Sequence, residues 1–548
     1  MFKKIQLLFN TIKFLKFSQI LNRLRRRFIK PKVSLCNIPQ HSFPCRVLSP
    51  TVKCTQKIFG DSRVKFLNKE FTINGKEDWN AEDQDKLWLY NLHYFDDLNA
   101  ANAEHRLKWH VSLIQKWINE NPVGAGNGWE PYPSSLRIVN WIKWLIENQN
   151  SNNISQQTFL DSLVIQTRFL SKNLEFHLLG NHLFSNAKAL VYAGLFFTGQ
   201  ESDTWYKLGV SILKKEISEQ VLSDGGNFEL SPMYHAIFLE DLLDLVNIHQ
   251  AYEVSLPSKL GIKIEPMLEW LECMCHPDSD IAFFNDATLG VSSSFGALLS
   301  YAKRLGYVIK EKVPQNLIHL KASGYIRAEN DDAVLISDVA NIGPDYLPGH
   351  GHADALSFEL SLFNQRLIIN SGISTYEIGL DRSTQRGTQS HSTITIDNQN
   401  SSEVWSGFRV ANRAKIFNIQ KFRYSNSVEF SACHDGYKKL KGKIVHCRKW
   451  SMGTNSVSIV DNIWGSGVHQ IRSILPVHPN VELGGPQGDT IDLQISGKLV
   501  KIHFEGAGEL KVIKAKYYPS FGCAVDNKHI IYDYIGKLPS NISIKISW

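Results

Sequence analysis

The hydrophobic period of this chain changes once along its length, and that change constrains its fold more than any other feature. From about residue 85 to 310, apolar residues recur every three or four positions, as at Leu107, Val111 and Ile114, which is the spacing of one helical face. Further helices are predicted over residues 157–175, 184–197, 203–221, 234–252, 262–274 and 293–305. Many antiparallel helices of moderate length favour an α/α toroid or a related helical barrel.

After about residue 320 the period becomes two. Val500, Ile502 and Phe504 alternate with polar residues, so every second side chain faces the same side of a strand. Comparable runs fall near residues 365–370, 393–397, 428–433, 455–461, 510–516 and 542–546. This pattern predicts a large antiparallel β-sandwich.

The length of 548 residues is too great for one ordinary core, which agrees with two large domains. We expect the boundary around Val313 and Pro314. The predicted division is a basic N-terminal helix over residues 1–35, a toroid domain over 36–318 and a sandwich domain over 319–548.

Positive charge is concentrated at the N-terminus. Residues 1–32 contain ten Lys or Arg and no acidic residue, and subtracting that +10 from the chain's net +7 leaves −3 for the remainder. The main body therefore gives no reason to expect a nucleic-acid partner. Ile5, Leu8 and Ile12 have helical spacing among the cations, which predicts a basic amphipathic helix. It either contacts an anionic membrane surface or packs on the protein's own body.

The same segment does not resemble a cleavable signal peptide, because positive charges interrupt its apolar residues. Among the eight cysteines, Cys433, Cys447 and Cys523 lie in strand-like segments, and we expect buried free thiols. These features favour the cytoplasm or the periphery of the inner membrane over the periplasm.

The first candidate motif places Asn181 and His182 side by side where a helix is predicted to begin. An Asn amide can donate to a substrate carboxylate, and a His can move a proton near neutral pH. The alternative is that Asn181 is a helix N-cap.

The second candidate motif is a polar, Gly-rich loop that begins at Asp224 and leads to Tyr234 and His235 on the next predicted helix. Polar loops held by rigid helices often carry catalytic residues. The alternative is an ordinary turn before an aromatic helix start.

The third candidate motif is the H-x-H pair of His350 and His352. In an extended segment both imidazoles lie on one side of the backbone, so one can serve chemistry while the other binds a metal. With Asn370 and His391 further along the chain, His352 would complete a zinc site. Exposed histidines without a ligand are the alternative.

Two aromatic and polar stretches are typical of a sugar-binding cleft. They contain Asn91, His93, Trp129 and Arg137. Helix–helix packing is the alternative interpretation of these residues.

Four segments in succession resemble the heparinase II/III-like family: Gly180–Leu190, Asp224–Tyr234, His350–Leu360 and Arg382–Arg409. The resemblance implies an incomplete α/α toroid followed by a large antiparallel β-sandwich. It also implies a lyase for uronate-containing polysaccharides such as heparan sulfate, and related folds cleave alginate. The basic start is similar to that of members found with bacterial surface-polysaccharide machinery.

The resemblance further implies roles for individual residues. Asn181 and His182 match the pair that contacts the uronate carboxylate. Tyr234 matches the catalytic Tyr, and His350 matches the catalytic His of the second domain.

His352 and His391 match ligands of one structural zinc in the same family. Asn370 stands where the family usually has Asp, and a neutral amide is a poorer zinc ligand than a carboxylate.

A lyase of this kind removes the C5 proton of a uronate and expels the C4 oxygen. The expected base is Tyr234, provided that nearby donors or positive groups lower its pKa, with His182 or His350 serving for the opposite epimer. The expected substrate contacts are Asn91, His93, Trp129, Arg137, Glu229, His235, Tyr376 and Arg386.

Two other functions are compatible with the sequence. A glycoside hydrolase on the same architecture would need two carboxylates on either side of the bond, and Asp224, Glu229 and Asp286 are the available acids. A non-catalytic protein that binds or assembles polysaccharide at the membrane surface would also explain the basic N-terminus.

Overall fold

The computed structural model describes residues 2–28, 31–150, 156–309 and 315–548. In chain order its α-helices are α1 Phe2–Ile12, α2 Phe17–Phe28, α3 Lys86–Leu92, α4 Leu107–Glu120, α5 Pro131–Glu147, α6 Gln156–Ser171, α7 Gly180–Phe196, α8 Gln200–Gln220, α9 Pro232–Ala251, α10 Ile264–Cys273, α11 Phe295–Arg304 and α12 Leu380–Gln385.

Two helices that border the central cleft begin at proline. Pro131 is the first residue of α5 and Pro232 the first of α9, where the missing N–H of proline costs nothing. The Ser231 hydroxyl also accepts a hydrogen bond from the backbone N–H of Tyr234 at 3.2 Å, which caps α9. Tyr132 and Tyr234 therefore lie in the first turns of rigid helices.

The strands are β1 Arg63–Phe66, β2 Lys69–Thr72, β3 Leu317–Leu320, β4 Tyr325–Glu329, β5 Ala333–Asp338, β6 Phe358–Leu362, β7 Gln365–Ile368, β8 Ile394–Ile396, β9 Val404–Trp405, β10 Arg409–Val410, β11 Ile416–Arg423, β12 Val428–His434, β13 Val445–Met452, β14 Ser456–Trp464, β15 Val468–Val477, β16 Glu482–Leu483, β17 Thr490–Ile495, β18 Lys498–Glu505, β19 Glu509–Tyr517, β20 Val525–Lys537 and β21 Ser540–Ser547.

Two large antiparallel sheets form the second domain. One has the strand order β11-β12-β13-β14-β21-β18-β17-β16, and the other has the order β19-β20-β15-β7-β6-β5-β4-β3, with β8 paired to β15. Along β14, Val457, Ile459 and Ile463 are buried while their neighbours Ser458 and Val460 are partly exposed, which is the period of two in the sequence. The inner faces of the two sheets share one apolar core.

A separate apolar cluster joins the two domains. Trp270 of α10 and Leu230, just before α9, pack against Tyr325 and Ile336 of the neighbouring strands β4 and β5. The indole N–H of Trp270 also donates to the Ser323 hydroxyl at 2.8 Å. Because this cluster is buried, it fixes how the helical domain lies against the sandwich.

The predicted order of a helical domain followed by a large antiparallel sandwich is confirmed. The helix α11 ends at Arg304, and β3 begins at Leu317, slightly before the expected start at residue 319. The boundary expected around Val313 and Pro314 lies outside the described residues.

The N-terminal segment forms two helices, α1 and α2, where one was predicted. Both contact the body of the protein, and their contacts are described below. Within the described ranges, no helix combines the length and the apolar character needed to cross a bilayer.

The expectation of free thiols is wrong for one pair. Cys433 on β12 and Cys447 on β13 lie directly opposite each other in the strand register and form a disulfide. The sequence pattern indicated two strands but not their register, and register decides which side chains meet. The other six cysteines are present as thiols.

Candidate active site

A cavity of about 1200 Å³ lies between the helical domain and the sandwich. Asn181 and His182 from α7, Tyr234 from α9, and His350 and Tyr376 from the sandwich domain all line it. The sequence motifs that stand far apart in the chain therefore converge on one space.

Asn181 is the second residue of α7, and the N-cap position belongs to Leu179. The interpretation of Asn181 as a helix cap is therefore wrong. The preceding Gly180 has a φ of +57°, and a Cβ there would lie 2.4 Å from Leu347 Cδ2 and 2.8 Å from Glu229 Oε1. The positive φ favours glycine at this turn, after which Asn181 and His182 line the cavity.

His182 has two neighbours that hold its ring. Its Nδ1 lies 3.2 Å from Oε2 of Glu175, a buried carboxylate in the loop before α7, and its ring packs against Tyr132 with centroids 4.4 Å apart. Burial alone would lower the pKa of His182, but the Glu175 carboxylate outweighs burial and raises the pKa above its usual value. The imidazole is thus favoured in its charged form.

Tyr234 lies between an imidazole and a second phenol. Its hydroxyl is 2.9 Å from the hydroxyl of Tyr376, and its ring lies against His350 with centroids 3.9 Å apart. Burial, followed by the Tyr376 hydroxyl, holds the pKa of Tyr234 well above its usual value. The expectation that the site lowers this pKa is therefore wrong, because Tyr376 and the Asp286 carboxylate add to the effect of burial, and the phenol keeps its proton.

His350 is oriented by a buried carboxylate. Nδ1 of His350 lies 2.8 Å from Oδ2 of Asp286, so the Nδ1–H donates to the carboxylate and fixes the orientation of the ring. Oε2 of Glu229 lies 3.6 Å from that Nε2. Asp286 thus holds His350 in place in the cavity wall.

Asp286 connects several groups and was not predicted as a positioning residue. Its two oxygens accept from Nη1 and Nη2 of Arg382 at 2.5 and 2.7 Å, and Oδ1 also accepts from Nε2 of His352 at 2.8 Å. Burial would raise the pKa of Asp286, but Arg382 and the two histidines hold it well below the usual range. The carboxylate is therefore charged and fixes both histidines of the H-x-H motif.

The acids considered for a hydrolase do not form a catalytic pair. Asp224 accepts hydrogen bonds from the backbone N–H and hydroxyl of Ser323 and does not line the cavity. The charged carboxylate of Asp286 is engaged in an ion pair with Arg382. Only Glu229 of these three faces the cavity, and a glycosidase needs two carboxylates.

Three predicted substrate contacts in the helical domain are wrong. His93 and Arg137 have no exposed surface, and Trp129 is 4 % exposed. His93 Nδ1 accepts from the indole of Trp117, and Arg137 donates to Gln166 Oε1 at 2.8 Å. Their polar groups are satisfied inside the domain, so helix packing explains these residues.

Two more predicted contacts lie behind the cavity wall. His235 is fully buried, stacks on Trp270 at 4.3 Å and bonds to the carbonyl of Met267 at 2.9 Å. Arg386 is fully buried, and its Nη2 donates to the carbonyl of Gly351 at 2.8 Å. Both residues support the cavity wall and do not face a ligand.

The other predicted contacts, Asn91, Glu229 and Tyr376, do line the cavity. Burial raises the pKa of Glu229, although the neighbouring His350 opposes the shift. Two further residues of the site, Glu175 and Tyr132, were missed as site residues. Tyr132 stood in a recognised aromatic stretch, whereas nothing in the sequence around Glu175 indicated its contact with His182.

His352 and His391 each have one buried ring nitrogen without a hydrogen-bond partner among the described residues, Nδ1 of His352 and Nε2 of His391. Their other nitrogens are held, by Asp286 Oδ1 at 2.8 Å and by Asn370 Oδ1 at 3.0 Å. A metal-binding His usually has its second nitrogen fixed in this way. Both histidines therefore fit a metal.

Asp354 is a further candidate ligand, and Asn370, which contacts His391, stays a predicted one. Ligand atoms of His352, Asp354 and His391 all lie within 4.8 Å of one another. The amide oxygen of Asn370 orients His391. Two imidazoles and a carboxylate are a donor set that suits zinc. In the sequence, Asp354 follows His352 at the same two-residue spacing that separates His350 from His352. That spacing could have identified Asp354 as a candidate ligand.

Two family models match the chain in succession. The model described as "Heparinase II/III N-terminus" matches residues 22–305, and the model described as "Heparinase II/III-like, C-terminal" matches residues 312–545. The two matches coincide with the helical domain and the sandwich.

Curated bacterial proteins resemble the chain in sequence. The chain is 26% identical over 375 residues to a heparin-sulfate lyase of Bacteroides stercoris, covering 59% of this chain and 55% of that relative. It is 25% identical over 361 residues to a heparin-sulfate lyase of Pedobacter heparinus, covering 59% and 53%. The chain thus spans about half the length of the curated relatives it matches.

A solved structure described as "Crystal Structure of Heparinase III" shares the fold. The TM-score is 0.73 at 18% sequence identity, and the match covers 97% of this chain and 89% of that chain. The toroid and the sandwich therefore occur in the same order in both molecules.

Proposed function

Because the chain belongs to the heparinase II/III-like family, we propose that it is a polysaccharide lyase that cleaves an acidic glycosaminoglycan by β-elimination. The observation that carries this proposal is the convergence of Asn181, His182, Tyr234 and His350 on one cavity. The similarity to two heparin-sulfate lyases supports a uronate-containing polymer of the heparan type as the substrate.

The first chemical requirement is to neutralise the uronate carboxylate, because the C5 proton beside an ionised carboxylate is only weakly acidic. Asn181 supplies an amide donor, and His182 supplies a positive charge that Glu175 maintains. Both side chains stand in the first turn of α7 and need no rearrangement to act. Donors placed in advance stabilise the negative charge that develops on the substrate as the proton leaves.

The two proton transfers are divided between His350 and Tyr234. Because Asp286 occupies Nδ1 of His350, Nε2 accepts the C5 proton. The C4–C5 double bond forms as the C4–O bond breaks, and the phenol of Tyr234 gives its proton to the departing oxygen. The raised pKa of Tyr234 keeps that proton available when the substrate binds. Each such positioned transfer contributes roughly 10²–10⁴-fold to the rate.

Ultraviolet absorbance of the products tests the reaction. We expect heparan sulfate to yield an unsaturated uronate that absorbs, and a neutral polymer such as dextran to yield nothing. Chondroitin sulfate and alginate complete the panel of uronate polymers. New reducing ends without absorbance would contradict elimination and favour a hydrolase.

The N-terminal helices support a second partner, an anionic membrane surface. Phe9, Phe17 and Phe28 are between 68% and 78% exposed, and they stand among the cations of residues 1–32. Apolar side chains beside basic ones are the pattern of an interfacial helix. We expect the chain to sediment with phosphatidylglycerol-containing vesicles and not with pure phosphatidylcholine vesicles; equal sedimentation with both would contradict an electrostatic contact.

We also propose one structural zinc held by His352, Asp354 and His391. The unpartnered nitrogens of the two histidines and the nearby carboxylate support this ligand set. The bound ion would supply a rigid link between the H-x-H segment and β8, so that His350 keeps its orientation. It takes no part in the proton transfers.

A further inference from the structure

The helices α1 and α2, residues 2–28, form a strap that contacts both domains across the cavity. On the helical side, Lys16 forms an ion pair with Glu219. Nη1 of Arg26 lies 3.2 Å from Nδ1 of His177. These contacts attach the second helix of the strap to the toroid.

The strap is also attached to the sandwich domain. Nε2 of Gln19 donates to the carbonyl of Tyr346 at 3.3 Å, and the indole of Trp405 donates to the hydroxyl of Thr11 at 3.2 Å. Gln19 is only 2% exposed, so this contact is enclosed. The strap therefore bridges the two walls of the cleft.

One face of the strap lines the cavity itself. The lining residues recur every three or four positions, and they are Leu8, Thr11, Ile12, Leu15, Gln19 and Arg23. They lie on α1, on the turn that follows it and on α2. The strap thus supplies one wall of the space that contains Tyr234 and His350.

Most cations of the cavity wall already have carboxylate partners. The pairs are Lys57–Asp96, Lys86–Glu130, Lys143–Asp244 and Lys188–Asp241. Arg23 differs, because it is exposed toward solvent and has no ion-pair partner within the described part of the chain. The guanidinium of Arg409 is likewise unpaired with an acid, but it lies 4.8 Å from the ring centre of Trp405.

We propose that Arg23 binds an acidic group of the polymer on a sugar next to the one that is cleaved. The ligand chemistry is a carboxylate or a sulfate, both of which accept two parallel hydrogen bonds from a guanidinium. A cation that faces the cavity lowers the energy of an anionic chain lying there. This inference rests on the proposed lyase function, and it adds a specificity residue from the strap.

The test compares Arg23→Gln with Arg25→Gln. Arg25 lies on the same helix, is also exposed and does not line the cavity, so it matches Arg23 in charge and setting. For Arg23→Gln we expect KM for heparan sulfate to rise about 5- to 20-fold, as for the loss of one charged hydrogen bond in a solvated site, with kcat little changed. For Arg25→Gln we expect both constants to stay as in the parent protein.

Two polymers show whether the acidic group that Arg23 binds is a sulfate or a carboxylate. If KM rises for heparan sulfate but not for the unsulfated polymer of the same backbone, Arg23 binds sulfate; if it rises for both, Arg23 binds the uronate carboxylate. Equal effects of the two substitutions on both polymers would overturn the proposal, because bulk charge would then explain them.

A direct binding measurement tests the role of Arg23 independently of the proposed lyase reaction. We would measure heparan sulfate affinity for each Arg variant in a Tyr234→Phe background, where no cleavage interferes. Weaker binding by Arg23→Gln alone supports the role of Arg23 even if the parent protein, with Tyr234 intact, forms no unsaturated product; that result would contradict only the proposed reaction. Equal binding by the two variants overturns the role of Arg23 even where the parent protein is an active lyase.

Discussion

Glu175 controls the charge of His182 although it lies in the loop before α7 and makes no contact with the cavity. Its carboxylate is 4% exposed and also accepts from the amide of Asn186 at 3.2 Å. It is therefore held rigidly beside the imidazole. Glu175 therefore affects substrate binding only indirectly, because its carboxylate favours the protonated form of His182.

We expect Glu175→Gln to shift the pH dependence of polymer binding toward lower pH. The pKa of His182 is raised above 6.5 in the folded protein, so its charge, and the binding that depends on it, is lost as pH rises through that raised pKa. Without the Glu175 charge, burial lowers the pKa of His182 and is opposed only by the smaller effects of Glu229 and Glu130. The measurement is KM for heparan sulfate as a function of pH.

The control for this prediction is Glu147→Gln, because Glu147 pairs with Lys53 on the surface and does not line the cavity. The same linkage predicts that the Glu175–His182 pair stabilises the fold below about pH 6.5 and that this contribution disappears above the folded pKa of His182. A Glu175→Gln variant with the parent pH profile would show that His182 is not the charged group.

At the scale of secondary-structure elements, the start of α7 depends on one glycine. Gly180 combines a positive φ with a close approach of Leu347 from the sandwich domain. The turn therefore sets both the direction of α7 and its contact with the second domain.

We expect Gly180→Ala to raise KM for the polymer as well as lower the melting temperature. A methyl group there must push Leu347 or Glu229 aside, which displaces Asn181 and His182. Gly199 is the control, because it has a φ of +98° but nothing within 4 Å of an added Cβ. Gly199→Ala should cost about 1–3 kcal/mol of stability from backbone strain and leave KM unchanged; equal effects of both substitutions on KM would contradict this account.

The H-x-H segment and β8 meet at the proposed zinc ligands. We expect Asp354→Asn to lower the zinc content of the purified protein, measured by elemental analysis after dialysis, because it removes the only carboxylate of the set. Asp278→Asn is a control, since Asp278 pairs with Arg366 elsewhere. Full zinc content in Asp354→Asn, or its loss on Asn370→Ala alone, would favour a different ligand set.

At the scale of the whole molecule, the two domains and much of the cavity could be predicted from the sequence. The change of hydrophobic period predicted where the helices and strands lie. Short sequence motifs identified four residues that line the cavity, Asn181, His182, Tyr234 and His350. Each of these residues belongs to a short segment whose composition is itself informative. Short sequence segments were therefore sufficient to identify these four residues.

The errors have a common physical cause, which is that long-range contacts leave no local pattern. His93 and Arg137 resemble cleft residues in sequence, yet both are satisfied inside the helical core. Asp286 meets Arg382 only because two domains are packed together. The Cys433–Cys447 disulfide depends in the same way on strand register.

The central claim is that Tyr234 gives a proton to the leaving oxygen within a cavity that binds the polymer independently of that step. The most direct measurement compares Tyr234→Phe with the parent protein, for unsaturated product by ultraviolet absorbance and for heparan sulfate affinity by direct binding. The account predicts that product formation is abolished while affinity is retained. Unsaturated product formed at the parent rate by Tyr234→Phe would contradict it.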